Sequence, residues 1–330
     1  EAVSSKEILL AVPEPKKGMQ VIRVEVATLD TMIRRPLNIL RVTPSECRVE
    51  KISGGGVNTN LRVVCEGKER KVVASAHILF ADKKMSGRQA DKVKKIIYVP
   101  YADNLVEEQI ILWGRLYIES KIREAGGKLK HLAVYSRAIP GKLVSDIFPD
   151  ELPFNISMIE HMDHDESVAQ GFVYTGEKVL VQLALNKEDT FRYAVSGAKA
   201  LCLMQIMPAT YHEVRRQYPR ARLPVNFEKG ACHHTESIKA AYLVLDSKLA
   251  NMSPDFRQRF LQEPEKYGIF LAAAYNGGSD RAKEWYQRFE PDRLAKILQD
   301  SFQESMPQKR GPKETWFFIK KYMEIAKEFL

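Results

Sequence analysis

Ala194-Val195-Ser196-Gly197-Ala198-Lys199-Ala200-Leu201-Cys202-Leu203-Met204-Gln205-Ile206-Met207-Pro208-Ala209-Thr210 is the stretch on which the fold of the C-terminal half turns. What precedes it has two readings. In one, Val179 to Lys187 is a helix and Glu188 follows it. In the other, Val179-Leu180-Val181-Gln182-Leu183-Ala184-Leu185 is a strand, Asn186-Lys187-Glu188-Asp189 a turn, and Thr190 to Val195 a return strand. Phe191, Tyr193 and Val195 alternate cleanly, and Asn and Asp suit the turn. The hairpin is the preferred reading. It places the preceding helix at Leu152 to Met162.

Downstream, helical signals dominate. Helices are expected over 235–251, 267–276, 279–289, 291–302 and from Pro312 to the end, where a first-turn proline is tolerated. In the first of these, Ile238, Ala241, Tyr242, Leu245 and Leu249 recur at helical spacing. Upstream, Asp103 to Ala125 reads as a helix capped by Asp103 or Asn104 and ended by Gly126-Gly127. Its apolar set is Val106, Ile110, Trp113, Leu116, Tyr117 and Ile122.

The first part of the chain is different. Residues 1–17 read as irregular, with Pro13 and Pro15. Val21–Val26, Leu61–Cys65 and Val72–Leu79 are rich in β-branched residues and read as strands. Residues 81–95 are charged and read as a connector. The expected division is 1–17 irregular, 18–82 β-rich with no assigned role, 83–140 a helical connector, and 141–330 a mainly helical domain. The fold class is α+β.

With 330 residues, 45% of them hydrophobic, the chain is long enough for two ordinary domains with their own cores. No run approaches the roughly 18 apolar residues of a membrane span. Glu1-Ala2-Val3-Ser4-Ser5 has no basic start followed by an apolar stretch, so the chain reads as a mature form or as a cytosolic protein. The formal charge of +9 favours polyanions such as nucleic acid, anionic lipid or an acidic wall polymer. No basic stripe interleaved with aromatics is present, so nucleic acid is not the expected partner.

The four cysteines, Cys47, Cys65, Cys202 and Cys232, include no CxxC pair, so a structural metal site is not expected. Cys47 and Cys65 flank the turn-like segment Ser53 to Asn58. Pairing as Cys47–Cys65 and Cys202–Cys232 suits an oxidising envelope compartment; four separate buried thiols is the alternative. Cys232-His233-His234 makes a poor ligand set, because adjacent histidines do not converge on one ion at a helix start.

Three segments together resemble the catalytic domain shared by soluble lytic transglycosylases and goose-type lysozymes. Ala194 to Thr210 looks like the family stretch A-x-S-x-x-G-A-x-G-L-M-Q-I-M-P-A-T. Ala272-Ala273-Ala274-Tyr275-Asn276-Gly277-Gly278 is similar to A-A-Y-N-A-G. Glu314-Thr315-Trp316-Phe317-Phe318-Ile319-Lys320-Lys321-Tyr322 resembles E-T-x-x-Y-V-x-x-V. The resemblance covers about residues 150–328 and leaves 1–140 without a counterpart. It implies a lysozyme-like helical domain with a small β-hairpin, a β-rich domain before it, and peptidoglycan glycan strands as substrate. It also implies a periplasmic or cell-envelope location, other cell-wall proteins as a further class of partner, and no cofactor. Two departures stand out: the family's glycines before A-x and L-M-Q are Lys199 and Cys202 here. Glycine serves where φ is positive, so the replacements are expected to reshape the loop and to bear on activity.

Glycan cleavage needs a protonated carboxyl group beside the glycosidic oxygen. A Glu in an apolar setting keeps its proton near neutral pH. The resembled family works with one Glu, first as acid and then as base, and leaves a 1,6-anhydro end. Glu188 lies 17 residues before Gln205 and three before Phe191, as in the family's E-S-x-F pattern. Glu160 sits near the end of the 152–162 helix among Ile156, Ile159 and Met162 and is preferred under the hairpin reading. Glu166 is a third choice. For each, a solvated surface carboxylate is the competing fate.

Substrate contacts are expected from Gln205, Met204, Tyr275, Asn276 and Glu314. The competing readings are a buried amide for Gln205, core filling for Met204, a helix cap for Asn276 and an N-terminal helix charge for Glu314. The function classes are therefore a lytic transglycosylase cutting between N-acetylmuramic acid and N-acetylglucosamine, a lysozyme-like hydrolase, and a degenerate domain that binds glycan without cutting. Nucleic-acid binding by the N-terminal unit rests on charge alone.

Overall fold

The computed structural model describes residues 5–14, 18–27, 38–53, 60–79, 94–99, 101, 105–300 and 302–329. Its N-terminal part is built from eight strands: β1 (Ser5–Glu14), β2 (Gly18–Ala27), β3 (Ile39–Thr43), β4 (Cys47–Ser53), β5 (Asn60–Cys65), β6 (Lys68–Arg70), β7 (Ala74–Leu79) and β8 (Lys94–Tyr98). One antiparallel sheet runs β3-β2-β1-β7-β8 and a second runs β4-β5-β6. Ile8 and Leu10 of β1 stand opposite Val24 and Ile22 of β2, so their side chains share a face. These residues are fully buried and share one core with Val49, Val63, Cys47 and Cys65 of the second sheet.

Residues 5–14, expected to be irregular, form β1, paired on both sides by β2 and β7. Ile8, Leu10 and Val12 carry the period of a half-buried strand, and Pro13 falls at the strand end, where a missing donor costs little. The expected connector at 83–140 is only partly helical, since it contains β8. Most of 81–95, the caps Asp103 and Asn104, and the turn residues 54–59 lie outside the described residues.

The rest is helical: α1 (Glu108–His131), α2 (Glu151–Ile159), α3 (His164–Gln170), α4 (Phe172–Asn186), α5 (Pro208–Gln217), α6 (Phe227–Ala231), α7 (His234–Ala250), α8 (Pro254–Gln262), α9 (Pro264–Gly277), α10 (Ser279–Arg288), α11 (Pro291–Asp300), α12 (Phe302–Ser305) and α13 (Arg310–Phe329). α2 is the hub. Every residue from Leu152 to Ile159 is buried, and α1, α4, α7, α9 and α13 pack around it. A helix apolar on all sides has no solvent face to present, and its only stable place is the centre. Asn186 ties the two parts together: it accepts from the Val99 backbone N–H (2.8 Å) and donates to the Val99 carbonyl (3.0 Å).

Two expectations fail in the helical part. α1 does not stop at Gly126-Gly127 but continues to His131, because Leu129 beyond the glycines is fully buried and its burial holds the last turn. The expected hairpin over 179–195 is absent: Val179 to Asn186 is the end of α4, and Lys187–Asp189 form a single 3-10 turn. Val179 to Leu183 are all buried, covered on every side, and such a run carries no periodicity that separates strand from helix. Phe191, the first residue of the alternating set, has φ +57°, outside the strand region.

The crossing of α1 on α4 depends on one glycine. A Cβ at Gly114 would stand 2.0 Å from the Leu180 carbonyl oxygen, a backbone atom that can yield only if the helix moves. Gly114→Ala is expected to destabilise the helical domain by about 3 kcal/mol, at the upper end for overpacking. Chemical unfolding followed by far-UV circular dichroism checks this; an unchanged midpoint contradicts the close crossing.

Candidate active site

α2 ends at Glu160, which keeps helical dihedrals as the C-cap residue and is half-buried. Four hydrogen bonds and one ring stack gather around this end. Lys321 of α13 donates to the carbonyls of Ile159 (2.6 Å) and Met162 (3.0 Å), the residues on either side of Glu160. His161 donates from Nε2 to the Leu203 carbonyl at 2.8 Å and lies flat on Phe191, with ring centroids 3.6 Å apart. Tyr275 of α9 donates to the Met204 carbonyl at 2.7 Å. The carboxyl group of Glu160 has no hydrogen-bond or ion-pair partner among the described residues.

Electrostatics follow from this burial. Burial pushes the Glu160 carboxyl well above the usual carboxylate range, and the Lys321 cation only partly offsets it. Burial holds the His161 imidazole down to about 3, so it stays neutral. Tyr275 is raised well above its ordinary value, first by burial and then by the Glu160 charge, and stays a phenol. The Leu203-Met204-Gln205 segment is thus held by a neutral imidazole and a neutral phenol, with Glu160 beside them.

The loop that carries Gln205 folds back on itself. Val195 faces Leu201, and Leu201 faces Ile206, as isolated antiparallel bridges. Lys199 (φ +64°), Cys202 (φ +58°) and Gln205 (φ +44°) all take left-handed backbone. Lys199 and Cys202, the residues at the two glycine positions of the resembled motif, therefore keep the conformation that glycine takes without cost. Each pays on the order of 1–2 kcal/mol.

At Cys202 a disulfide to Cys232, with Cα atoms 5.1 Å apart, joins the loop to the end of α6. Cys47 and Cys65, opposite each other in β4 and β5, form the other. Removing the Cys202–Cys232 link with C202A/C232S is expected to cost about 3 kcal/mol. C202G/C232S should recover about 1 kcal/mol of that, because glycine relieves the positive φ. Thermal unfolding of the three chains measures both steps; equal midpoints for the two variants would contradict the strain at Cys202.

Gln205 donates from Nε2 to the Cys202 carbonyl at 2.7 Å, which leaves its Oε1 free to accept. Asn276, exposed at the end of α9, accepts from the Thr315 hydroxyl at 2.9 Å, and Arg281 in turn donates to that hydroxyl at 2.6 Å. The Asn276 Nδ2 is left to donate outward. Glu314 is exposed one turn into α13 and pairs with Arg310 at 2.8 Å. Met204 is fully buried.

The other carboxylates are taken up elsewhere. Glu188 pairs with Lys121 of α1 at 2.6 Å and accepts from the His234 backbone N–H at 3.1 Å. Burial works to raise its pKa, but Lys121 and His234 outweigh that and hold it below the usual range, as an anion. Glu166 is clamped by Lys178, at 2.7 and 2.9 Å. His234 is engaged by Tyr117 (3.0 Å) and the Thr190 carbonyl (3.0 Å). Among the described residues, no group of three or more His, Cys, Asp or Glu side chains is placed to hold a metal ion.

Sequence reasoning did not single out Lys321, His161 or Thr315. Lys321 had a signal. It falls on the apolar face of α13 with Phe318, Tyr322 and Ile325, at helical spacing, and a lysine inside such a face must find a buried partner. Thr315 stands at the T of the E-T motif, and His161 had no signal, because its partners are distant in sequence.

No curated protein and no solved structure matches the chain. The family model of the transglycosylase SLT domain matches residues 176–296. That span contains Glu188, Met204, Gln205, Tyr275 and Asn276 and leaves Glu160 and Glu314 outside. The similarity of this chain to the transglycosylase SLT domain covers residues 176–296.

Proposed function

We propose that this chain is a lytic transglycosylase that breaks the bond between N-acetylmuramic acid and N-acetylglucosamine with Glu160 as its one acid and base. The observation that carries the reading is the convergence at the end of α2. Of the three carboxyls named from the sequence, Glu160 is the one that burial holds above the usual range and that no partner occupies, and its neighbours His161 and Tyr275 hold the Leu203-Met204-Gln205 backbone. Glu160 gives its proton to the glycosidic oxygen as the bond to the sugar carbon breaks. The resulting carboxylate then takes the proton of the muramic 6-hydroxyl, whose oxygen closes on the same carbon and leaves the 1,6-anhydro ring. The Gln205 Oε1 and the Asn276 Nδ2 are the polar groups offered to the sugar. Tyr275 and Met204 act by shaping the loop, and Glu314 lies at the outer edge of the contact. No cofactor is required.

A second reading keeps Glu188 as the acid, because it lies inside the span that matches the family. Its pairing with Lys121 speaks against it: a carboxylate clamped by a cation gives up its proton too early to serve as an acid. Peptidoglycan as substrate implies action in the periplasm or cell envelope, and other cell-wall proteins are natural partners there. No helix of the described residues is long and apolar enough to cross a membrane.

The test is the purified chain mixed with a peptidoglycan suspension across a range of pH. The expected result is clearing at and below neutral pH that falls off on the alkaline side as Glu160 loses its proton. Binding without clearing at every pH would leave a glycan-binding domain in place of an enzyme.

A further inference from the structure

Lys321 of α13 reaches into the turn on which Glu160 sits. Its ammonium is buried and spends two hydrogen bonds on the Ile159 and Met162 carbonyls. Those carbonyls belong to the end of α2, where backbone acceptors run out of helical partners and the helix dipole is negative. A buried cation satisfied only by neutral carbonyls is poorly compensated. The nearby carboxyl groups that act on it are Glu160 and Asp163.

We propose that Lys321 is a positioning residue for Glu160: it fastens the last turn of α2, fixes the direction in which the Glu160 side chain leaves it, and supplies the positive charge against which the carboxylate forms. This rests on the reading of Glu160 as the acid. In the first step the proton moves from Glu160 to the leaving oxygen, and a negative charge appears in a buried place. Glu160 is half-buried, so water stabilises that charge only in part, and Lys321 supplies the rest without moving. In the second step the same charge must survive long enough to take the proton of the attacking hydroxyl. The arrangement divides the labour between two forces: burial keeps the acid protonated at rest, and the cation keeps the conjugate base from being prohibitively costly.

The other groups facing Glu160 do not duplicate this. From α9 comes Tyr275, a neutral phenol; on its own segment stand His161, a neutral imidazole, and Asp163, whose charge faces Lys321. Lys320, the neighbour in sequence, pairs with Glu324.

Two measurements test the proposal. The first compares the pH dependence of kcat in the unmodified chain, Lys321→Met and Lys321→Arg. With methionine the alkaline limb should move up by about one pH unit or more and kcat should fall about tenfold. KM should stay within about twofold, and arginine should hold the limb near its original place. A folded Lys321→Met chain with its limb unmoved overturns the proposal. The second needs no Lys321 variant to fold. Lysine side-chain nitrogen NMR follows the Lys321 ammonium in the unmodified chain and in Glu160→Gln. Loss of the carboxylate should shift the Lys321 titration to lower pH, and an unchanged titration overturns the pairing. Full cleavage by Glu160→Gln is a different failure, since it removes the acid that Lys321 is proposed to position and leaves the pairing itself to the NMR result.

Discussion

Glu160→Gln is expected to lower the rate of glycan cleavage by about three orders of magnitude, while Glu188→Gln leaves it within a few-fold of the unmodified chain. General acid–base catalysis by a placed side chain contributes roughly 10²–10⁴-fold. Here one carboxyl is read as serving both steps, so its loss falls in the upper part of that range. Glutamine keeps the shape and the neutral charge of the resting acid, and the variant should fold and bind glycan. The Glu188 amide gives up the Lys121 pair, whose two side chains are 39% and 19% exposed, and the result should be a small loss of stability. The initial rate of turbidity loss, with binding measured separately by sedimentation, checks both. Equal loss of activity in the two variants would move the acid to Glu188.

Asp246→Ala should destabilise the helical domain by about 4 kcal/mol, near the cost of stripping a buried charge of its partners or its partners of the charge. Asp246 of α7 is fully buried. It accepts from the Ser136 hydroxyl at 2.5 Å, the Arg137 backbone N–H at 2.8 Å and the Tyr218 hydroxyl at 2.7 Å. These donors come from the segment after α1 and the end of α5, which α7 thereby binds together. Alanine leaves three donors in a space with no acceptor. The melting temperature should fall by roughly 10 °C, given the few degrees per kcal/mol typical of a domain this size. The unmodified melting temperature in Asp246→Ala would mean that water replaces the carboxylate.

What could be read from the chain alone follows the strength of its periodicity. α7 and α9 to α11 stand within a few residues of their expected bounds, and the three motif segments are brought together by α2, α9 and α13. The failures share a cause. In the run Val179 to Leu183 every position is buried, and the hairpin was inferred from residues beyond it whose backbone φ no pattern reveals. β1 was hidden by its prolines, although Ile8, Leu10 and Val12 alternate. The motif residues Gln205 and Tyr275 fall on a loop and a helix that the Tyr275–Met204 hydrogen bond joins, with Asn276 next to Tyr275. Glu160 was reached through the hairpin, an argument the fold does not support. The geometry that favours it is different: a buried central helix, Lys321 across from its end, and two neutral donors, His161 and Tyr275, that hold the Leu203-Met204 backbone. Lys321 and Tyr275 are far from Glu160 in sequence, and His161, its next neighbour, acts on a loop that is equally far.

The most direct test of the whole account is the chemistry of the products. Purified peptidoglycan digested by the unmodified chain, and resolved by mass spectrometry, should yield muropeptides ending in 1,6-anhydro-N-acetylmuramic acid, one water lighter than the reducing form, and Glu160→Gln should yield none. Fragments with ordinary reducing ends would contradict it and make the chain a hydrolase.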